Sequence, residues 1–253
     1  MEFFDINCWV NYREIAECSS GFFAGLAEKN IKKVILTNKL SLGYDWNIGN
    51  MEFFESGLPA QNNNLFFAFI VCPEACLQFN FADYIKSSYK KGARMFRVFP
   101  KSQLFYLNDF YMNRIYNEMS LANFPLMIDL KELDITGNKY FAIDDLRALL
   151  SRHKKLPVIL ETSLKQCMFN RFYFPLLDEF ENLYIETSSL LLMDQLEHYV
   201  GRFGSKRLIF GSNYPANDIS VNTARMELME SSKADIENIC FNNISEILNN
   251  IRV

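Results

Sequence analysis

Histidine is nearly absent from this chain: two occur in 253 residues, His153 and His198. Both fall in helical patterns, within Asp145–His153 and Met193–Val200, where a surface or helix-end place is expected. Chemistry that needs a cluster of histidines is excluded by the count. Long apolar runs are missing too. Leu65–Cys72 is among the longest, far short of the ~20 residues a membrane-spanning helix requires, so no membrane partner is expected. Cys72 and Cys76 are close, but the other cysteines stand apart at 8, 18, 167 and 240. That spacing fits neither a zinc ribbon nor a disulfide framework, and reduced thiols are the expectation. No strand is followed by G-x-G-x-x-G or by G-x-x-x-x-G-K-[ST], which removes the common phosphate loops. Lys and Arg (26) are scattered among 30 Asp and Glu for a net charge of −4, so there is no electrostatic footprint for nucleic acid or anionic lipid. Met1-Glu2-Phe3-Phe4-Asp5 has neither the basic nor the apolar region of a signal peptide, which predicts a cytoplasmic protein.

What is present is the composition of a globular domain, 49% apolar and 22% charged, which excludes disorder. Short apolar segments rich in branched and aromatic residues predict strands at Phe3–Val10, Lys33–Thr37, Leu65–Cys72, Ala93–Phe99, Leu126–Leu130, Val158–Thr162, Leu183–Thr187 and Arg207–Gly211. Helical periodicity lies between most of them, over Arg13–Lys29, Phe81–Lys91, Tyr106–Leu121, Ile143–His153, Cys167–Phe180, Met193–Arg202, Val221–Ser231 and Lys233–Ile251. Leu40–Asn64, with three glycines, Pro59 and Asn62-Asn63-Asn64, reads as a long functional loop. Strict alternation admits an open doubly wound sheet or a closed (β/α)8 barrel. Eight strands in about 250 residues without a glycine-rich phosphate loop favour the TIM barrel, one domain over 1–253. The aromatic residues Phe105, Tyr106, Phe110, Tyr111, Phe169, Phe172, Tyr173 and Phe174 are expected under the barrel helices, with an oligomer contact as the other reading.

Three segments carry a resemblance. The first strand reads Phe4-Asp5-Ile6-Asn7-Cys8-Trp9-Val10. The eighth reads Arg207-Leu208-Ile209-Phe210-Gly211-Ser212-Asn213-Tyr214-Pro215, after Arg202-Phe203-Gly204. The chain closes on Phe241-Asn242-Asn243-Ile244-Ser245-Glu246-Ile247-Leu248. Together they resemble the amidohydrolase-related (amidohydrolase 2) family of metal-dependent TIM-barrel hydrolases and decarboxylases. That family opens with D-x-H-x-H, ends its eighth strand in F-G-x-x-R-[IL]-[IL]-F-G-S-D-Y-P and closes around G-N-A-x-x-L-L. The resemblance implies a barrel, a site at the C-terminal ends of the strands and, by analogy alone, a homo-oligomer.

It fails at the metal. The positions that hold histidine on the first strand are Asn7 and Trp9, those after the fifth and sixth strands are Asp129 and Glu161, and the eighth-strand Asp is Asn213. An indole has no lone pair to give, and an amide oxygen is a weak neutral ligand. Asp129 and Glu161 leave room only for weakly held Mg²⁺, Mn²⁺ or Ca²⁺. Zinc is not expected, and the reading assigns no metal ligand and no cofactor. Asn213 can orient a substrate but cannot act as a base.

The replacements are polar nonetheless. The resemblance places Arg97 inside the barrel, and alternation puts Lys131 on the same side as Asp129. The expected mouth therefore holds Asp129 and Glu161 as an acid/base pair and Asn7, Trp9, Arg97, Lys131 and Asn213 as substrate contacts, with Arg97 or Lys131 gripping an anion. The sequence thus predicts a divergent family member, lactonase-like, that has lost its metal and binds or hydrolyses a small carboxylate-bearing molecule. The alternative is an inactive barrel retained for protein interaction, its buried charges paired with one another.

Overall fold

Eight short strands, β1 Phe3–Val10, β2 Ile31–Asn38, β3 Leu65–Ile70, β4 Ala93–Val98, β5 Leu126–Asp129, β6 Val158–Glu161, β7 Leu183–Glu186 and β8 Leu208–Ile209, pair in parallel in sequence order. The seam closes where Trp9 N donates to Tyr214 O at 2.7 Å and Ile6 N donates to Phe210 O at 3.3 Å. The result is a single-domain TIM barrel, seen in a computed structural model that describes residues 1–11, 21–43, 45–58, 62–129, 132, 143–161, 170–192 and 194–253. Lys131 and Phe169 lie outside the described residues.

Each strand is too short and too apolar to face water, so helices cover the outside. The helix Phe81–Lys90 starts at Asn80, whose side chain accepts from Asp83 N, and Ile219–Leu228 starts at Asp218, which accepts from Ser220 N. Gln195–Phe203 stops at Gly204, whose φ of +75° a side chain would disfavour. The loop expected over Leu40–Asn64 is corrected: it contains the helix Ile48–Ser56 and a 3₁₀ turn over Lys39–Leu42. Its glycines disguised the helix. Gly57 is a left-handed C-cap, and a Cβ on Gly49 would come within 2.6 Å of Ser41 Oγ, so that glycine lets the helix lie against the 3₁₀ turn. The closing helix is also interrupted by a π turn over Asn238–Asn242.

Alternation sorts the strands into layers. Inside the barrel, Phe4, Ile6, Ile35, Ala68, Met95, Met127, Ile159 and Ile209 form an apolar plug, stoppered by Ile244 and Ile247 of the last helix. Two residues further along stand Thr37, Arg97, Asp129, Glu161 and Gly211, so a polar layer sits on the plug toward the C-terminal mouth. In β1 the register slips: Asp5 pairs with Val34 but Cys8 with Leu36. That bulge lets two consecutive residues, Ile6 and Asn7, serve the plug and the polar layer in turn. Cys8 packs with Val10 in the outer core.

Candidate active site at the barrel mouth

Arg97 organises the polar layer. It is fully buried, and its Nη1 donates to Asn7 Oδ1 at 3.0 Å and to Thr37 Oγ1 at 3.1 Å. Nη2 donates to Glu161 Oε2 in a buried ion pair. The Trp9 ring lies over the guanidinium with its centroid 4.3 Å from the central carbon, a cation–π contact. Asn7 continues the network from the other side, donating through Nδ2 to Glu186 Oε2 at 3.4 Å.

Glu186, absent from the sequence-based site, is the third strand-end carboxylate. In register, Asp129 pairs with Glu161 and Glu161 with Glu186, so three acids stand side by side on β5, β6 and β7. Ser188 serves Glu186 twice: its N donates to Oε1 at 2.7 Å and its hydroxyl to Oε2 at 2.8 Å. Burial first, and then the Glu161 carboxylate, push the Glu186 carboxyl up to about 8, against the pull of the two Ser188 bonds. At neutral pH Glu186 therefore carries its proton.

Gly211 makes room for this acid. A Cβ there would stand 2.1 Å from Glu186 Oε1 and 2.9 Å from the Asn7 Cβ. Gly211→Ala is therefore expected to destabilise by about 1–3 kcal/mol through overpacking, read as a lower melting temperature. A change within about 0.5 kcal/mol would mean that Glu186 is free to move aside. The seam beside it is held by Asp5, another residue the sequence reading gave no role. Its carboxylate accepts from Ser212 N, Ser212 Oγ and Asn7 N, and burial raises its pKa in spite of those bonds.

Above this layer opens a cavity of about 580 Å³. Trp9 and Phe99, at 5.7 Å between ring centroids, and Leu42, Pro215 and Ala216 give it apolar walls. Its polar lining is Lys39, Ser102, Asp129, Glu132 and Asn213. Glu132 is occupied: it accepts from Ser102 N and Ser102 Oγ, both at 2.8 Å. Lys39 is exposed and makes no ion pair among the described residues.

Of the expected contacts, Trp9, Asp129 and Asn213 line the cavity. Asn7, Arg97 and Glu161 lie beneath its floor, bound to one another. The Arg97 guanidinium is turned toward protein oxygens, Nη1 to Asn7 and Thr37 and Nη2 to Glu161, with the Trp9 ring over it. Lys39 is the cation the sequence reading missed; no strand-alternation signal marks a residue just past a strand end.

No protein-family model matches the chain, and no curated protein matches it. Solved structures do. A TIM-barrel protein of unassigned function from Bordetella bronchiseptica aligns with a TM-score of 0.72 at 13% identity, covering 99% of each chain. A 2,6-dihydroxybenzoate decarboxylase from Rhizobium aligns at 0.73 and 14%, covering 98% of this chain and 99% of the other. A dihydroxybenzoic acid decarboxylase from Polaromonas, holding manganese and the inhibitor 2-nitroresorcinol, aligns at 0.72 and 14%, covering 98% and 97%. At such identities the likeness establishes the fold.

A manganese ion does not fit the described residues. Among the described residues no three His, Cys, Asp or Glu side chains gather as a metal-binding group. In the polar layer Asn7 Oδ1 and Glu161 Oε2 already accept from Arg97.

Proposed function

We propose that the mouth cavity binds a small, flat, carboxylate-bearing molecule and hydrolyses an ester or lactone bond in it without a dissociable metal. The observation that carries this reading is a cavity walled by Trp9 and Phe99, with the exposed ammonium of Lys39 at its rim and the buried carboxylate of Asp129 at its base. Aromatic walls suit a planar ligand, and a few convergent polar groups give it one orientation. Lys39 meets the ligand carboxylate. Asn213 holds a second polar group. Asp129 takes a proton from a water whose oxygen attacks the carbonyl carbon, and as the acyl C–O bond breaks Asp129 returns that proton to the departing alkoxide. Glu161, tied to Arg97 below the floor, positions the layer and does not reach the ligand.

A ligand present at a hundredfold excess over its Kd adds about 2.7 kcal/mol, which raises the melting temperature of a chain this size by about 5–10 °C. Hydroxybenzoates and aliphatic dicarboxylates are the compounds to screen. The expected result is a rise with at least one of them that Lys39→Ala abolishes, while Asp129→Asn keeps the rise and ends turnover. A rise unchanged in Lys39→Ala would remove the ammonium from the site.

A second reading, a barrel kept for protein contact, draws on one observation. Phe110 is 88% exposed, against an expected place under the helices, and its ring meets Tyr111, which stacks on Tyr106; Leu104 is 73% exposed. If that patch joins two copies, light scattering gives a dimer or larger mass, and Phe110→Ser reduces it toward the monomer.

A further inference from the structure

The end of the barrel away from the mouth carries two cavities that the mouth chemistry does not use. One, of about 490 Å³, is lined by Asn123, Pro157 and Asn182, which stand just before β5, β6 and β7, and so it opens on the N-terminal face. The other, of about 510 Å³, adjoins it, since Glu181, Tyr184, Ile247 and Asn250 line both. Charge is divided unevenly between them. The first has Lys154, Lys155 and Arg252 against the single acid Glu181, and the second has Lys206 and Arg207 against Asp178, Glu181 and Glu246. Lys154, Lys155 and Arg252 make no ion pair among the described residues. In a chain of net charge −4, that is a local excess of positive charge confined to one cavity. The backbone that presents these cations is fixed. Asn182 Nδ2 donates to the carbonyl oxygens of Leu150, His153 and Leu156 at 3.3, 3.1 and 3.1 Å, which ties down both sides of the turn carrying Lys154 and Lys155. Arg252 N donates to Ala122 O at 2.8 Å, and Asn123 Nδ2 donates to Asn250 O at 3.1 Å. A site whose backbone is already ordered gives up less entropy on binding.

We infer that this groove is a second binding site, separate from the mouth, for a small phosphate ester with a hydroxyl-rich body. Two ammonium groups and one guanidinium supply the donors that a dianionic phosphate accepts, Arg252 through its planar fork. The body of the ligand lies over the half-buried ring of Tyr184 and reaches into the second cavity, where the Glu181 and Glu246 carboxylates accept from its hydroxyls. The same carboxylates repel a second phosphate there, which limits the ligand to one anionic end. Three cations in a closed groove are too few for the phosphate track of a nucleic acid.

The test is titration calorimetry at a fixed ionic strength of about 0.15 M, with glucose 6-phosphate as the probe and glucose, inorganic phosphate and succinate as comparisons. Wild type is expected to bind about one equivalent of glucose 6-phosphate, inorganic phosphate more weakly, and glucose not at all. The double variant Lys154→Ala/Arg252→Ala is expected to bind the probe at least about tenfold more weakly. Both residues are exposed, so that variant should melt with wild type. Lys39→Ala, which alters the mouth, is expected to bind the probe as wild type does. No binding of glucose 6-phosphate by wild type overturns the inference, and so does equal binding by the double variant or a loss in Lys39→Ala. Glucose or succinate bound as tightly as the probe overturns it too, because the cations would then not be reading a phosphate.

Discussion

Arg97→Met is expected to lower stability by about 3–5 kcal/mol, which for a chain of this length corresponds to about 6–20 °C in melting temperature. The physical reason is an asymmetry. A buried ion pair contributes little relative to two apolar residues, because desolvation offsets the Coulomb attraction, but removing one partner leaves the other charge in a medium that cannot solvate it. Here the survivor is Glu161, 1% exposed, and the loss extends to the Asn7 and Thr37 oxygens that Nη1 now serves. The same argument makes the double variant Arg97→Met/Glu161→Leu less damaged than the single one. Removing both charges is expected to restore at least half of the loss. Thermal melts of the two single variants and the double variant measure this directly. A single variant within about 1 kcal/mol of wild type would show that the guanidinium does not hold the polar layer together, and a double variant as unstable as the sum of the two would show that the charges do not act as a pair.

The second large effect is a pH dependence carried by Glu186. Its folded pKa of about 8 lies above the ordinary value of 4.5. A raised folded pKa means that the native state holds a proton the unfolded chain has already released. Its stabilising contribution is therefore complete below pH ~4.5 and is lost progressively as pH rises through about 8, at about 1.4 kcal/mol per pH unit. Glu161 on β6, Asp5 on β1 and Arg225 on the helix Ile219–Leu228 face this group electrostatically. Glu186→Gln replaces the protonated acid with a neutral group of the same shape. The variant is expected to match wild type at or below pH ~4.5, to exceed it increasingly from there to pH ~8 by up to about 5 kcal/mol, and to hold that lead up to pH ~9. Taking the difference between the two proteins cancels the titration of every other group. A difference that stays constant from pH 5 to 9 would mean that Glu186 is ionised throughout and that its proton has no part in the fold.

The fold was legible because its signals are local. An apolar segment of four to eight residues can satisfy its backbone only by pairing with neighbours, and helical periodicity between such segments leaves parallel pairing as the solution. The strand starts at Phe3, Leu65, Ala93, Leu126, Val158 and Leu183 are those expected from the sequence. Leu40–Asn64 misled because its glycines signal breaks, whereas Gly49 permits a close approach and Gly57 ends a helix.

The chemistry was legible in residue types more than in partners. The family resemblance singled out Asn7, Trp9, Arg97, Asp129, Glu161 and Asn213, and the common direction of parallel strands brings strand ends to one side of the barrel. Glu186 ends β7 as Asp129 ends β5 and Glu161 ends β6, and the same rule would have found it. Which of these residues face a ligand, and which face each other, was not written there. A one-residue bulge in β1 sets the aim of Asn7, and its contact with Glu186 joins residues 179 positions apart. The reach of Arg97 across the barrel brings it to Glu161, Trp9 covers it, and among the described residues Lys39 is left as an accessible cation at the rim. The sequence by itself determined the barrel and its ring of polar strand ends, because pairing and alternation are short-range. Only the tertiary structure decided how the charges are shared, because in a buried layer each charge takes the nearest partner, and distance across a barrel has no counterpart along the chain.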